Sequence, residues 1–214
     1  MKLKFITSNY DQEEYQIGHR LAKRVYQRAW GTKSLSDDHS ASVIAMLNSE
    51  VVGNLCIHLR NQKLPCENYF HFQNEIEKDV LVAELCSLAI AVETPKQVRN
   101  DILLGLISAV NTFGIVHNIS KYYTIQRISL LSRLKVKLNY PFHQVDEAIP
   151  ITAAQPNDSY WRNNQTPKLY SIDNTDPQTM KSSLQSIAFL NRRGCTWVDQ
   201  TRKSNDFQKI IKVA

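Results

Sequence analysis

Val80–His117 reads VLVAELCSLAIAVETPKQVRNDILLGLISAVNTFGIVH, and the fold turns on it. Val80–Val92 is apolar apart from Glu84 and Ser87. A short apolar run of this kind, rich in Val and Ile and followed by a turn, predicts a strand buried on both faces. Thr94-Pro95-Lys96-Gln97 follows. Thr as N-cap, Pro at the first helical position and Gln three residues on predict a capping box. Ile102, Leu106, Val110 and Phe113 then share a helical face, with Gly114 as the expected stop. The helix's first free amides lie beside Lys96 and Arg99, an expected anion site.

Glu84 is the residue in this run that needs a cause. A carboxylate in a buried strand loses several kcal/mol of solvation, roughly, unless it is paired, neutralised or open to a cleft. One reading is a salt bridge or an exit at a strand edge. The other is a carboxylate of raised pKa serving as general base for an amine nucleophile. Cys86, two residues on, is a nucleophile only if a base activates it, and no His is placed in the sequence to do so.

The 214 residues suffice for one well-buried domain, and 43% hydrophobic with 21% charged residues is an ordinary globular composition. No apolar stretch reaches membrane-spanning length and Met1-Lys2-Leu3-Lys4 leads into no secretory core, so the expected compartment is the cytoplasm. Cys56, Cys66, Cys86 and Cys195 are scattered, with no CxxC pair and no His at ligand spacing; free thiols and no metal are expected. A net charge of +6 suggests an acidic partner. No helix-turn-helix or RNA-binding signature accompanies it, which argues against nucleic acid.

In chain order, Leu3–Thr7 predicts a first strand, and Asp11 is the expected cap of a helix running through Ala29 to Gly31. Arg20, Arg24 and Arg28 form a stripe on that helix, either a solvated face or a docking rail. Ser42–Leu47 and Val51–Leu59 predict a hairpin turning at Asn48-Ser49-Glu50. Asn61–Lys78 reads as irregular, with Phe70 and Phe72 available to a pocket. Ser120–Ile125 predicts a strand, Arg127–Leu138 a basic helix with Ile128, Leu131 and Leu134 inward, and Tyr140-Pro141-Phe142 the start of another strand. Ala153–Pro167 reads as a polar loop or linker. Asp176-Pro177 starts a helix with Met180, Leu184, Ile187 and Leu190 inward and Gly194 as stop, and the last twenty residues show little pattern.

This order resembles the GNAT acyltransferase superfamily, and within it the acyl-homoserine-lactone synthases and long-chain N-acyl amino acid synthases. The likeness rests on HRLAKRVYQRAWG (His19–Gly31), Asp37-Asp38, VVGNL (51–55), VAELCSLAIA (82–91) and, more weakly, KLNYPFHQVD (137–146). It covers residues 1–150, leaving 151–214 as a helical extension packed on or completing the same domain. The resemblance implies an α/β (α+β) fold with a mixed central sheet flanked by helices. It implies transfer of a fatty acyl group from acyl carrier protein or acyl-CoA to a primary amine of a small molecule or peptide. No cofactor is expected to stay bound; the acyl-phosphopantetheine thioester is a co-substrate. The alternative is a degenerate version of the fold that binds acyl carrier protein or another partner.

Carried onto this chain, the resemblance implies Glu84 as base and Leu85, Cys86, Leu88 and Ala89 along the donor's arm, with Lys96 and Arg99 near its phosphate. Arg20, Arg24, Trp30, Asp37, Asp38 and Ser87 would face the acceptor. Tyr122, Tyr123 and Tyr140 are candidate proton donors to the leaving thiolate, and Tyr140 is grouped with Glu84. Three family arginines are absent: their positions fall at Ala22, near Cys56 and at Ser87. Asn139 stands where the family has glycine. The glycine-rich pyrophosphate loop is also missing, since Asn100 and Ile102 replace its glycines. That favours a carrier protein, with the α-helical arginine stripe and Arg127/Arg133/Lys135/Lys137 as docking candidates.

Overall fold

The computed structural model describes residues 2–33, 35–36, 39–60, 63–72, 81–162 and 165–201. Leu3–Asn9 forms β1 and Glu13–Trp30 forms α1. The hairpin strands β2 (Ala41–Leu47) and β3 (Glu50–Leu59) follow. A 3-10 turn at Pro65–Asn68 leads to the short β4 (Phe70–His71). The apolar run becomes β5 (Leu81–Ile90), and α2 spans Lys96–Val116. Then come β6 (Ile119–Gln126), α3 (Ile128–Ser132) with a π turn at Arg133–Lys137, β7 (His143–Gln144) and β8 (Ile149–Pro150). The remainder holds α4 (Ser159–Arg162), β9 (Lys168–Asp173), α5 (Pro177–Arg192) and β10 (Thr196–Asp199).

Eight strands form one mixed sheet in the order β10-β1-β2-β3-β5-β6-β9-β7, and β4 pairs β8 separately. The β2–β3 turn places Asn48 and Ser49 at φ 50° and 74°, the two left-handed residues that a tight hairpin needs. Neighbouring residues of β3 point to opposite faces: Gly53 backs onto Ile102 and Leu106 of α2, whereas Asn54 meets Gly18 of α1. The core therefore lies between the sheet and α2, with α1 covering the other face. The segment after residue 150 contributes two strands as well as two helices. β9 pairs β6, β10 runs parallel to β1, and α5 packs on α2, where Asn111 Nδ2 donates to Ser183 Oγ at 2.7 Å. No helix among the described residues is long and apolar enough to cross a membrane.

Several local expectations are corrected. Gln12, not Asp11, precedes α1, and its side chain accepts the Asn9 N–H at 2.7 Å, so the strand-to-helix turn is closed from the other side. Gly31 does end α1, at φ 70°. Pro95 is the residue before α2, and the Thr94 hydroxyl is buried with no hydrogen-bond partner among the described residues, so there is no capping box. Gly114 lies inside α2; its missing side chain makes room for Asn174 and the Tyr122 hydroxyl. Ile128, the first residue of α3, is exposed, while Leu131 and Leu134 are buried. On α5, Met180 and Leu184 are exposed; the face against α2 is made by Thr179, Ser182, Ser183 and Ser186, with Ile187 and Leu190. Gly194, at φ 77°, follows its C-cap.

Candidate functional site

β5 changes partners halfway along. Its parallel pairing with β6 runs from Leu81↔Ile119 to Glu84↔Tyr123 and stops there. One residue later, the Thr124 hydroxyl reaches across to the Leu85 carbonyl at 2.8 Å. On the β3 side the register shifts between Asn54 and Cys56. Asn54 pairs with Ala89 and Cys56 with Cys86, so Ser87 and Leu88 together oppose Leu55, a β-bulge. Ser87 takes φ 54°, a conformation costly for a residue with a Cβ, and Asn54 Nδ2 donates to its carbonyl at 3.0 Å. The bulge and the lost pairing open the sheet beside Glu84.

A cavity of about 190 Å³ fills that opening on the α1 side. Tyr26, Tyr69, Tyr160 and Trp161 supply aromatic walls, Glu84 and Asp158 carboxylates, and His39 an imidazole; the described lining contains no Lys or Arg. Such a box of ring faces and carboxylates suits an amine or its ammonium. Leu85 and Gln126 also line a second, apolar space of about 10 Å³ on the α2 side, so the two adjoin across the sheet beside β5 and β6.

Glu84 is 4% exposed. Its Oε2 accepts the Cys66 N–H at 2.6 Å, and the Cys66 thiol bonds it as well. Burial raises its pKa to about 7; the Cys66 bonds pull it down and the nearby Glu67 pushes it up. Glu84 in turn raises the Cys66 thiol, after burial itself. Desolvation, with Cys56 and Glu84 nearby, holds the half-buried Cys86 thiol well above its ordinary value, and it bonds the Cys56 carbonyl at 3.8 Å. That is the opposite of an activated nucleophile.

The wall formed by residues 156–161 comes from the stretch expected to be a linker. Asp158 caps α4 by accepting the amides of Tyr160 at 3.1 Å and Trp161 at 3.3 Å, and it accepts Thr32 Oγ1 at 2.9 Å. Ser159 Oγ donates to the Trp30 carbonyl at 2.9 Å. Arg127, expected on a docking surface, is buried. Its guanidinium lies 4.1 Å from the Trp30 ring centroid and 5.0 Å from that of Tyr160, and it donates to the carbonyls of Ser159 and Tyr160. Trp30 thus stands behind the wall rather than in it.

The other expected site residues are dispersed. Ser87, Leu85 and Cys86 line the cavity with Glu84, and Leu88 lines the apolar space. Ala89 is buried in neither. Tyr140 is wholly buried on the α2 side, where its hydroxyl bonds Ser108 at 2.7 Å and Ser183 at 3.5 Å; it lines no part of the cavity. Lys96 is exposed, and Arg99 closes the β5–α2 turn by donating to the carbonyls of Thr94 at 3.0 Å and Val92 at 2.5 Å. Arg20 and Arg24 are exposed; Arg24 borders a separate groove between α1 and the ends of β3 and β5. Arg28 there pairs with Glu93 at 3.1 Å, and Arg133 bonds Asn100. Asp37 and Asp38 lie outside the described residues. His39, Tyr26, Tyr69, Asp158, Tyr160 and Trp161 were not expected in the site; Asn157-Asp158-Ser159 before two aromatics, a capping signal inside a polar stretch, was the available hint for the last three.

No protein-family profile matches this sequence, and no curated protein matches it. Solved structures do. The acyl-homoserine-lactone synthase LasI superposes with a TM-score of 0.61 at 11% identity, over 84% of this chain and 93% of LasI. The CoA-dependent acyl-homoserine lactone synthase BjaI, solved with SAM and isopentyl-CoA, gives 0.56 at 12% identity over 99% of this chain and 100% of BjaI. FeeM, an N-acyl amino acid synthase from uncultured soil microbes, gives 0.52 at 10% identity over 79% of this chain and 95% of FeeM. The chain has the mixed α/β fold of these three synthases.

Proposed function

We propose that this protein transfers an acyl group from a phosphopantetheine thioester, carried by acyl carrier protein or CoA, to a primary amine. The observation that carries the reading is Glu84: a buried carboxylate with a pKa of about 7, fixed by Cys66 where β5 leaves β6, facing an aromatic, acidic cavity. A base poised near neutrality is suited to an amine nucleophile. The amine enters on the α1 side and the donor's arm lies in the gap between the strands. The amine nitrogen attacks the thioester carbonyl carbon, the C–N bond forms, and the C–S bond breaks to release the pantetheine thiolate. Glu84 takes the proton shed by nitrogen, and solvent returns one to the thiolate. Backbone around the Ser87 bulge is the source of donors for the developing oxyanion.

The test is intact-protein mass spectrometry of a carrier protein loaded with mixed acyl chains, and in parallel of acyl-CoA mixtures, each with a panel of amines. Discharge of the donor only when one amine is present supports the reading and names both substrates. The tightness of the apolar space, about 10 Å³, favours a second reading, a binding module for the carrier protein. A stable complex with no discharge by any amine or donor length decides for it.

A further inference from the structure

Three side chains that no step of acyl transfer uses converge at one end of the cavity, His39 in its lining and the other two behind it. His19 comes from α1, His39 from the loop before β2 and Cys56 from β3, and all three are buried. One ligand-type atom from each lies within 4.8 Å of the other two. A tetrahedral shell of imidazole nitrogens and a thiolate, with bonds of about 2.0 to 2.3 Å, needs its ligand atoms about 3.5 Å apart. Metal binding then requires the ligand atoms to close by at most about 1.3 Å. We propose that His19, His39 and Cys56 hold one transition-metal ion, of which Zn²⁺ fits this donor set best.

The surroundings are those of a built site. The Tyr15 hydroxyl hydrogen-bonds His39 Nδ1 at 2.9 Å and fixes its ring. Asn54 Nδ2 donates to the Cys56 sulfur at 3.4 Å, the kind of bond that stabilises a coordinated thiolate. Gly18 brings α1 against β3 at Asn54, and His19, the next residue, lies within 4.8 Å of Cys56 by their ligand atoms. Two imidazoles and one thiolate suit Zn²⁺ and its neighbours in the first transition row better than Mg²⁺ or Ca²⁺. Three protein ligands leave a fourth position for water or a substrate group. His39 also lines the cavity, which provides a route for an ion to enter. An ion there places positive charge beside a cavity whose described lining has carboxylates but no Lys or Arg.

The experiment is titration of the full-length protein with Co²⁺, then with Zn²⁺ as competitor, followed by absorbance and by native mass spectrometry. The expected result is one Co²⁺ per chain, with a thiolate-to-cobalt charge-transfer band and the d–d bands of tetrahedral cobalt, displaced by one Zn²⁺. Cys56→Ser should abolish the charge-transfer band, and His39→Gln should weaken binding at least tenfold. Tyr15→Phe, which leaves all three ligands, should weaken it about tenfold. Absence of the band from the wild-type protein overturns the proposal, whatever the variants do. A band that survives Cys56→Ser overturns it too, since another cysteine is then the ligand. The readout needs no acyl transfer and stands apart from the proposed activity.

Discussion

The backbone N–H of Cys66 donates to Glu84 Oε2 at 2.6 Å, so a 3-10 turn 18 residues upstream holds the carboxylate at which the pairing of β5 with β6 ends. The bond orients Glu84, while burial keeps its pKa near 7. The same desolvation makes Glu84 costly to ionise in the folded state. An acid whose pKa is raised by folding binds more protons folded than unfolded between the two values. Stability is therefore highest below about 4.5 on this account and falls as pH rises to about 7. The loss amounts to roughly 3 kcal/mol, from about 1.4 kcal/mol for each pH unit. Chemical denaturation across that range should show the decline in the wild type, and Glu84→Gln should flatten it. An unchanged pH profile in the variant would remove Glu84 as its source.

Acyl transfer should move the other way. The base acts only when ionised, so the rate should rise through a pKa of about 7 and level off above it. Glu84→Gln keeps the shape and an acceptor for the Cys66 amide, and should lower the rate about 100- to 10,000-fold with the far-UV spectrum intact. Discharge kinetics of the thioester at several pH values measure both effects.

Glu84 was legible because a carboxylate in an apolar strand demands a cause, and the strand itself followed from its unbroken hydrophobicity. His39, Tyr69 and Trp161 were not, since each comes from a segment whose local pattern is irregular and which only tertiary packing draws to β5. Tyr140 failed for a related reason. Its partners Ser108 and Ser183 sit on two helices 75 residues apart in sequence, and nothing local indicates that its hydroxyl faces them. β10 is four residues long and parallel to β1, so no turn or alternating run announces it. The His19, His39 and Cys56 grouping escaped the ligand-spacing rule because its members stand on a helix, a loop and a strand.

Arg127 should behave as a wall anchor. Its guanidinium lies against the touching rings of Trp30 and Tyr160 and donates to carbonyls at the start of α4. Arg127→Ala removes stacking and hydrogen bonds together and should cost about 2 kcal/mol in thermal or urea unfolding. Arg127→Lys should restore little of it, because an ammonium neither stacks as a plane nor spans two carbonyls. Full recovery by lysine would mean that charge alone is what the position supplies.

The Ser87 bulge lies three residues past the point where β5 leaves β6, and its φ of 54° gives it a distinct signature on substitution. Ser87→Gly removes the strain but adds freedom to the unfolded chain, so stability should stay within about 1 kcal/mol of wild type. Ser87→Val adds a branched side chain at a left-handed position and should cost about 2 kcal/mol. Denaturation of the two variants side by side tests whether the bulge persists in solution. Equal stability of both would mean that the strand runs straight.

Leu88 limits what can pass through the gap between β5 and β6. Leu85, Leu88, Ile107 and Phe142 leave only about 10 Å³ between them, about the room of one water molecule. A donor whose acyl carbon sits beside Glu84 must put its chain there, so the resting shape admits short chains. Leu88→Ala deletes three carbons of the lining without touching Glu84 or Cys66. It should raise the rate with medium-chain donors relative to acetyl donors at least tenfold, at a stability cost of about 2 kcal/mol. The ratio of rates across a chain-length series is the measurement, because a general loss of stability lowers all of them together and leaves the ratio alone. An unchanged ratio would place the acyl chain elsewhere and leave the gap to the pantetheine arm.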